Sequence, residues 1–326
     1  MQMNINSEMN RTLCILGELL GDELLSSLLE HKLEEIMLNP DGGMFVHYVS
    51  GEIENTLNLN PQKANALVKT ICSLKSGEHV SESAIVDGEI PLLKVRFSAV
   101  LPPLVRSASL CLRSLHALTI PYEKLVDNGF ISRFFSELVT SLLNSKANIL
   151  ICGQTGSGKT TFLNALLNTL HKTEQHSRLI TIEDTPELKP ELKNMINLYT
   201  TKNVCMDELV KATLRLSPER IVIGEVRGSE ALHMIDALCT GHRGSLASLH
   251  AGSVKEALER LKLLMMMHPL APEKGLEKMI AMAINAIIII QKKPKRTVRE
   301  IAVIKGYEHG EYQYESYLDN SYKKFQ

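Results

Sequence analysis

Nine residues, "GQTGSGKTT" from Gly153 to Thr161, follow the apolar run "NILIC" and lead into a helical pattern, "FLNALLNTL". Gly153, Gly158, Lys159 and Thr160 satisfy G-x-x-x-x-G-K-S/T in full, with Gly156 as a third glycine between them. A glycine-rich turn here lets the backbone N–H groups of Gln154, Thr155, Gly156, Ser157 and Gly158 curl around phosphates. The helix that follows points its positive end at the same place. Lys159 is expected to bridge the β- and γ-phosphates of ATP, and the Thr160 hydroxyl to ligate Mg2+.

Three further clusters stand at the ends of apolar runs. In "RIVIGEVRG", Gly224 occupies the position where many phosphate-binding enzymes carry an aspartate, and Glu225 follows it, two residues before Arg227. A carboxylate there can accept a hydrogen bond from an attacking water and orient it. "RLITIEDTPEL" closes on Glu183, Asp184 and Glu187. Like charges repel unless a cation lies among them, so Glu183 is expected to hold waters of the Mg2+ shell. Asp184 and Glu187 fit that role or an acidic helix start. "TGHRGSLASLHAGS" sets His242 before a strand and His250 at its end, where an imidazole could sense a γ-phosphate.

These clusters need a scaffold. From residue 130 helical and strand patterns alternate: "RFFSELVTSLLNS", "NILICG", "KTTFLNALLNTL", "RLITIED", "MDELVKATLRLS", "RIVIGEV", "SEALHMIDALCTG", "SLASLHA". Strict alternation implies an α/β domain with a mostly parallel sheet and helices on both faces, and ligands in such sheets bind beyond the carboxyl ends of the strands. "MIAMAINAIIII" reads as a helix running into a buried strand, and the tail as a hairpin turning at His309-Gly310. Residues 1–118 mix helical patterns with short strands, with turn signals at Asp41-Gly42 and Ser50-Gly51, and read as a smaller α+β domain. Pro121 and Asn128-Gly129 mark 119–129 as the linker to a domain at 130–326.

The bulk numbers bound the rest. The 326 residues carry a formal net charge of −1 with 44% hydrophobic residues, so the chain reads as folded and without the basic stripe of a direct nucleic-acid grip. Six cysteines, at 14, 72, 111, 152, 205 and 239, include no C-x-x-C pair and suit a reducing compartment. The start "MQMNINSEMNRT" lacks the basic and apolar regions of a signal peptide, and no apolar stretch reaches the ~20 residues of a membrane span. A cytoplasmic location follows as the expectation. The basic run "QKKPKR" (291–296) reads as a solvated loop before a DNA or lipid patch.

"GQTGSGKTT", "TIEDTPEL", "SPERIVIGEVRGSEA" and "TGHRGSLASLHAGS" together resemble the Walker A motif, Asp box, atypical Walker B motif and His box of the type II/IV secretion and conjugation traffic ATPases. "EIMLNPDG" and "VREIAVIKGY" are similar to the TrbB-type conjugal transfer ATPases in particular. The resemblance implies a RecA-like P-loop ATPase domain, Mg2+-dependent hydrolysis of ATP between two domains, and a homo-oligomeric, hexameric ring. It also implies peripheral placement at the inner face of the cytoplasmic membrane beside inner-membrane components of the apparatus. Through "RFSAVLPP" and "LCLR" it maps the family's γ-phosphate arginines onto Arg96 and Arg113, with Arg106 a lesser candidate. A tetracysteine element found in many type II and pilus motors is missing from this sequence, which favours a conjugative role. A type II or pilus motor, a P-loop phosphotransferase and a nucleotide-gated scaffold are the competing readings.

Overall fold

The structure, a computed structural model, describes residues 13–30, 32–48, 52–74, 84–90, 93–115 and 120–319; the turn expected at Ser50-Gly51 lies outside them. The chain divides into two units, Met1–His116 and Ala117–Gln326.

In the first unit, alternating apolar residues build six short strands: β1 (Leu33–Leu38), β2 (Gly43–Tyr48), β3 (Ile53–Asn58), β4 (Ile85–Ile90), β5 (Val95–Val100) and β6 (Ser109–Ser114). They pair antiparallel throughout, in the order β3-β2-β1-β6-β5-β4. Side chains alternate faces along a strand, so Val95, Phe97 and Ala99 turn into one core while Arg96 and Ser98 face away. Helical residues 13–20 (α1), α2 (Asp22–Leu29) and α3 (Pro61–Ser73) cover that core, the last started by Asn60, whose side chain accepts the Lys63 N–H.

The second unit holds eight strands in the order β14-β13-β12-β7-β11-β10-β8-β9. Six are parallel: β7 (Ile149–Gly153), β8 (Leu179–Glu183), β9 (Met195–Tyr199), β10 (Arg220–Val226), β11 (Leu246–Leu249) and β12 (Ala286–Gln291). The expected hairpin, β13 (Thr297–Glu308) and β14 (Glu311–Leu318), adds an antiparallel edge and turns at His309 and Gly310, both at positive φ. Burial on both faces explains the apolar runs of β7 and β12, and β8 is buried along its whole length. On one face lie α5 (Arg133–Asn144) and α6 (Lys159–Thr173); on the other, α7 (Met206–Thr213), α8 (Glu230–Cys239), α9 (Val254–Met266) and α10 (Leu276–Ala283).

Two elements depart from the sequence reading. Most of the segment expected as a linker is a helix, α4 (Tyr122–Asp127), whose Tyr122 and Leu125 are buried in the core beneath α6. Pro121 and Asn128-Gly129 punctuate the two ends of that short helix rather than a free connection. The edge strand β9, with its half-buried "MINLY", carries too little apolar alternation to stand out.

Candidate active site

The strand order decides the site. Along the chain the clusters run glycine loop, Glu183, Glu225, His250; across the sheet, β7, β11, β10 and β8 are successive neighbours. All four run parallel, so their carboxyl ends line one edge in the order glycine loop, His250, Glu225, Glu183. Neighbouring strands lie ~4.8 Å apart, which brings residues almost a hundred positions apart into one row.

The glycine loop has the backbone that its composition requires. Gly156 and Gly158 take φ of 70° and 100°, and Gly158 caps α6. A Cβ on Gly153 would sit 2.6 Å from the Ile290 carbonyl oxygen, so β7 and β12 could not remain paired there. Lys159 is buried and curls back: its Nζ donates to the Gly153 carbonyl at 3.0 Å and the Gln154 carbonyl at 3.3 Å, and lies 3.3 Å from His250 Nδ1. Gln154 and Thr155 are exposed on the loop, Ser157 is buried, and Thr161 follows on the first turn of α6.

His250 and Glu225 stand side by side, with Nε2 and Oε1 2.5 Å apart. Arg227 Nη2 donates to Glu225 Oε2 at 2.6 Å, and Nη1 lies 3.6 Å from Asp184 Oδ2. Burial alone would raise the Glu225 carboxyl, but Arg227, His250 and Lys159 outweigh it and hold the group below its usual range. Burial first, then Lys159, lowers His250 against the pull of Glu225, so the imidazole is neutral at neutral pH. The row thus presents an ionised carboxylate beside an uncharged ring.

Glu183, the last residue of β8, behaves differently. Its Oε1 accepts the backbone N–H groups of Glu187 (2.9 Å) and Leu188 (2.8 Å), while Oε2 is buried with no hydrogen-bond partner. Burial raises its carboxyl to about 7, opposed by those two hydrogen bonds and aided by the charge of Glu187. A buried oxygen without a donor, close to neutral and facing a carboxylate neighbour, fits a group that completes its shell with a cation or its waters. Gly224 makes this possible, because a Cβ there would lie 3.0 Å from Glu183 Cγ. Together with the glycine loop and the Thr160 hydroxyl, these donors fit a nucleotide triphosphate with Mg2+.

Other expected residues fall in different places. Asp184 is exposed, accepts the Thr200 hydroxyl at 3.0 Å and meets Arg227. Arg96 and Arg113 are register partners on β5 and β6, flanked in the same row by Glu89 and Glu35. Like charges directly opposite repel, and the two flanking carboxylates offset that cost. Arg106 is exposed on the loop after β5. His242 precedes β11, as the sequence has it, and lies at the amino ends of the strands, the sheet edge opposite the row. A strand of four residues separates its two ends by ~13 Å, so His242 stands apart from His250 within its own unit.

Sequence reasoning undervalued two residues. Glu187 accepts the Thr160 hydroxyl at 3.1 Å, and its carbonyl accepts the Asn164 amide, so it ties the Asp-box loop to α6. Lys292, in the basic run, leaves the end of β12 beside β7; its Nζ lies 3.1 Å from where a Cβ on Gly156 would stand. The basic run therefore overhangs the glycine loop instead of forming a separate patch. The signal for Lys292 was the buried strand before it, which had to end beside another strand's end.

A glycine loop opening a helix, with a lysine, a histidine and two carboxylates in one row at the strand ends of a parallel sheet, fits a nucleotide-binding class of site. Comparison with known proteins narrows this: residues 15–308 match the family described as type II/IV secretion system protein. The chain is 33% identical over 302 residues to the probable conjugal transfer protein TrbB of Sinorhizobium fredii (strain NBRC 101917 / NGR234), covering 92% of each chain. It is 33% identical over 303 residues to the conjugal transfer protein TrbB of Rhizobium radiobacter, covering 93% of each. Among solved structures, the pilus retraction motor PilT with bound ADP aligns at a TM-score of 0.59 and 20% identity, over 91% of this chain and 82% of that one. The ATPase DotB of Legionella pneumophila aligns at 0.59 and 18% identity, over 86% and 80%. The chain belongs to the type II/IV secretion system protein family, and its fold is the RecA-like one of these neighbours. No helix among the described residues is long and apolar enough to cross a membrane.

Proposed function

We propose that this protein is an ATP-hydrolysing motor of a type IV secretion or conjugal transfer apparatus, acting as a ring of like subunits, six by the family's habit, on inner-membrane components. The observation that carries the reading is the row formed by Lys159, His250, Glu225 and Glu183 along the ends of four adjacent strands. Its composition is that of a phosphoryl-transfer site whose catalysis is positioning and charge. The 33% identity to TrbB proteins over nearly the whole chain favours conjugal transfer, whereas the likeness to the pilus retraction motor is one of fold.

In this reading the glycine loop binds the phosphates through its N–H groups, and Lys159 leaves its carbonyl partners for the β- and γ-phosphates. Glu225, kept ionised by Arg227, orients the attacking water and accepts its proton. His250, neutral and within reach of both Lys159 and Glu225, reports to each whether the γ-phosphate is present. Thr160 and Glu183 would hold Mg2+ directly and through water, and the ion when bound supplies positive charge to the phosphates. Arg96 and Arg113 of the first unit close on the γ-phosphate, and the resulting motion between the units is the motor's output. The protein works at the cytoplasmic face of the membrane.

The test is steady-state phosphate release by the full chain with Mg·ATP, with products of labelled ATP resolved. Free phosphate is expected from the wild type. Glu225→Gln should lower turnover by ~10²–10⁴ with nucleotide binding retained, in line with a lost general base. Turnover of this variant within threefold of the wild type would remove Glu225 from its role, and label found on an acceptor molecule would favour a phosphotransferase.

A further inference from the structure

Outside the nucleotide row, one group of three metal-ligating side chains converges among the described residues: Asp207 on the first turn of α7, His233 on α8, and His268 in the turn after α9. The Nε2 atoms of the two histidines are 3.2 Å apart. Asp207 Oδ1 lies 3.4 Å from His233 Nε2 and 3.8 Å from His268 Nε2. Bonds of ~2.0–2.2 Å at tetrahedral angles place ligand atoms roughly 3.3–3.5 Å from one another, so the three atoms already surround a zinc-sized point.

Their protons do not satisfy one another. The Leu270 N–H donates to His268 Nδ1 at 3.1 Å, which puts the proton of the neutral ring on Nε2, inside the cluster. That single proton can serve His233 Nε2, and Asp207 Oδ1 is then left buried without a donor, as observed. Asp207 Oδ2 is occupied by Lys211 Nζ at 2.8 Å. A cation at the centre would satisfy all three atoms at once.

We propose that Asp207, His233 and His268 form a binding site for a divalent transition ion of the zinc class, completed by one water, which pins α7, α8 and the turn after α9 together. Two imidazoles and one carboxylate select zinc-like ions over Mg2+ or Ca2+, which take oxygen ligands. Coordination through Nε2 moves the His268 proton to Nδ1, so the Leu270 N–H must turn to water. Leu270 is 77% exposed in a surface turn and has room to do so. The inference is independent of the proposed motor function.

The experiment uses the full chain, stripped with a chelator and free of nucleotide, titrated with Zn2+ by calorimetry and with Co2+ by visible absorption. One equivalent of Zn2+ and the intense Co2+ bands of a four-coordinate site are expected. Asp207→Asn and His233→Gln should each weaken Zn2+ binding at least ~100-fold, more than the loss of an outer-shell partner costs. His176→Gln, on an exposed turn, should leave it unchanged. Circular dichroism checks that each variant is folded. Absence of Co2+ bands in the wild type would overturn the proposal, whatever the variants do. So would Zn2+ affinity unchanged in a folded Asp207→Asn or His233→Gln.

Discussion

Replacing Glu183 by glutamine isolates what a buried, nearly neutral carboxyl does to this fold. In the nucleotide-free protein the group ionises at about 7 instead of the usual 4.5, chiefly through burial. Below 4.5 both folded and unfolded chains hold the proton. Between the two values only the folded chain holds it, so the stability it lends is lost as pH rises through 7. The difference corresponds to ~3 kcal/mol, or roughly 6–12 °C in the melting of a unit of this size. Glutamine keeps the shape and can accept the same N–H bonds from Glu187 and Leu188 through Oε1. Its NH2 takes the place of the unpartnered Oε2, at a cost of about 1–3 kcal/mol that does not vary with pH. The diagnostic is therefore the slope. Melting temperature measured from pH 5 to pH 8 without Mg2+ or nucleotide should fall in the wild type relative to Glu183→Gln by the amount above. Saturating Mg·nucleotide should flatten the wild-type curve, because a nearby cation keeps the carboxylate charged. Parallel curves for the two proteins at every pH would refute the assignment of Glu183 as a cation-seeking carboxyl.

Three other outcomes follow from the geometry. Gly224→Ala should press its methyl on Glu183 Cγ, destabilise the fold by ~1–3 kcal/mol and lower turnover about tenfold, as thermal melts and phosphate release would measure. Lys292→Ala should raise the KM for ATP about fivefold with kcat within a factor of two, the effect of one half-buried cation worth ~1 kcal/mol beside the phosphate loop. Arg113→Ala should lower kcat by ~10³ or more with nucleotide affinity retained, and Arg96→Ala likewise, if both complete the charge clamp; loss confined to affinity would reassign them to binding.

What could be read from the sequence divides along a physical line. The glycine loop was legible because its parts are contiguous, and strand, turn and helix fall in the required order. Glu183, Glu225 and His250 were legible as strand-end residues, since a parallel sheet collects its carboxyl ends on one edge. Their order along that edge was not, because pairing of β11 between β7 and β10 is decided by the whole core. Glu187 acts through a position that tertiary structure alone assigns, and for Lys292 the buried strand before it told of a strand end but not of its neighbour. The helix at Tyr122–Asp127 hid behind its own end signals, and edge strand β9 behind weak alternation.

The interleaved sheet also dictates when the protein can begin to work. β7 and β8 are not neighbours; β11 and β10 must slot between them. A chain emerging from the ribosome has its cradle and its first acid by residue 183, yet no sheet can join them until residue 249 is out. β12, whose closing lysine overhangs the cradle, arrives later still. A chain shortened before that point would carry a complete glycine loop without the sheet that aligns it with Glu225 and Glu183, and is expected to release no phosphate from ATP.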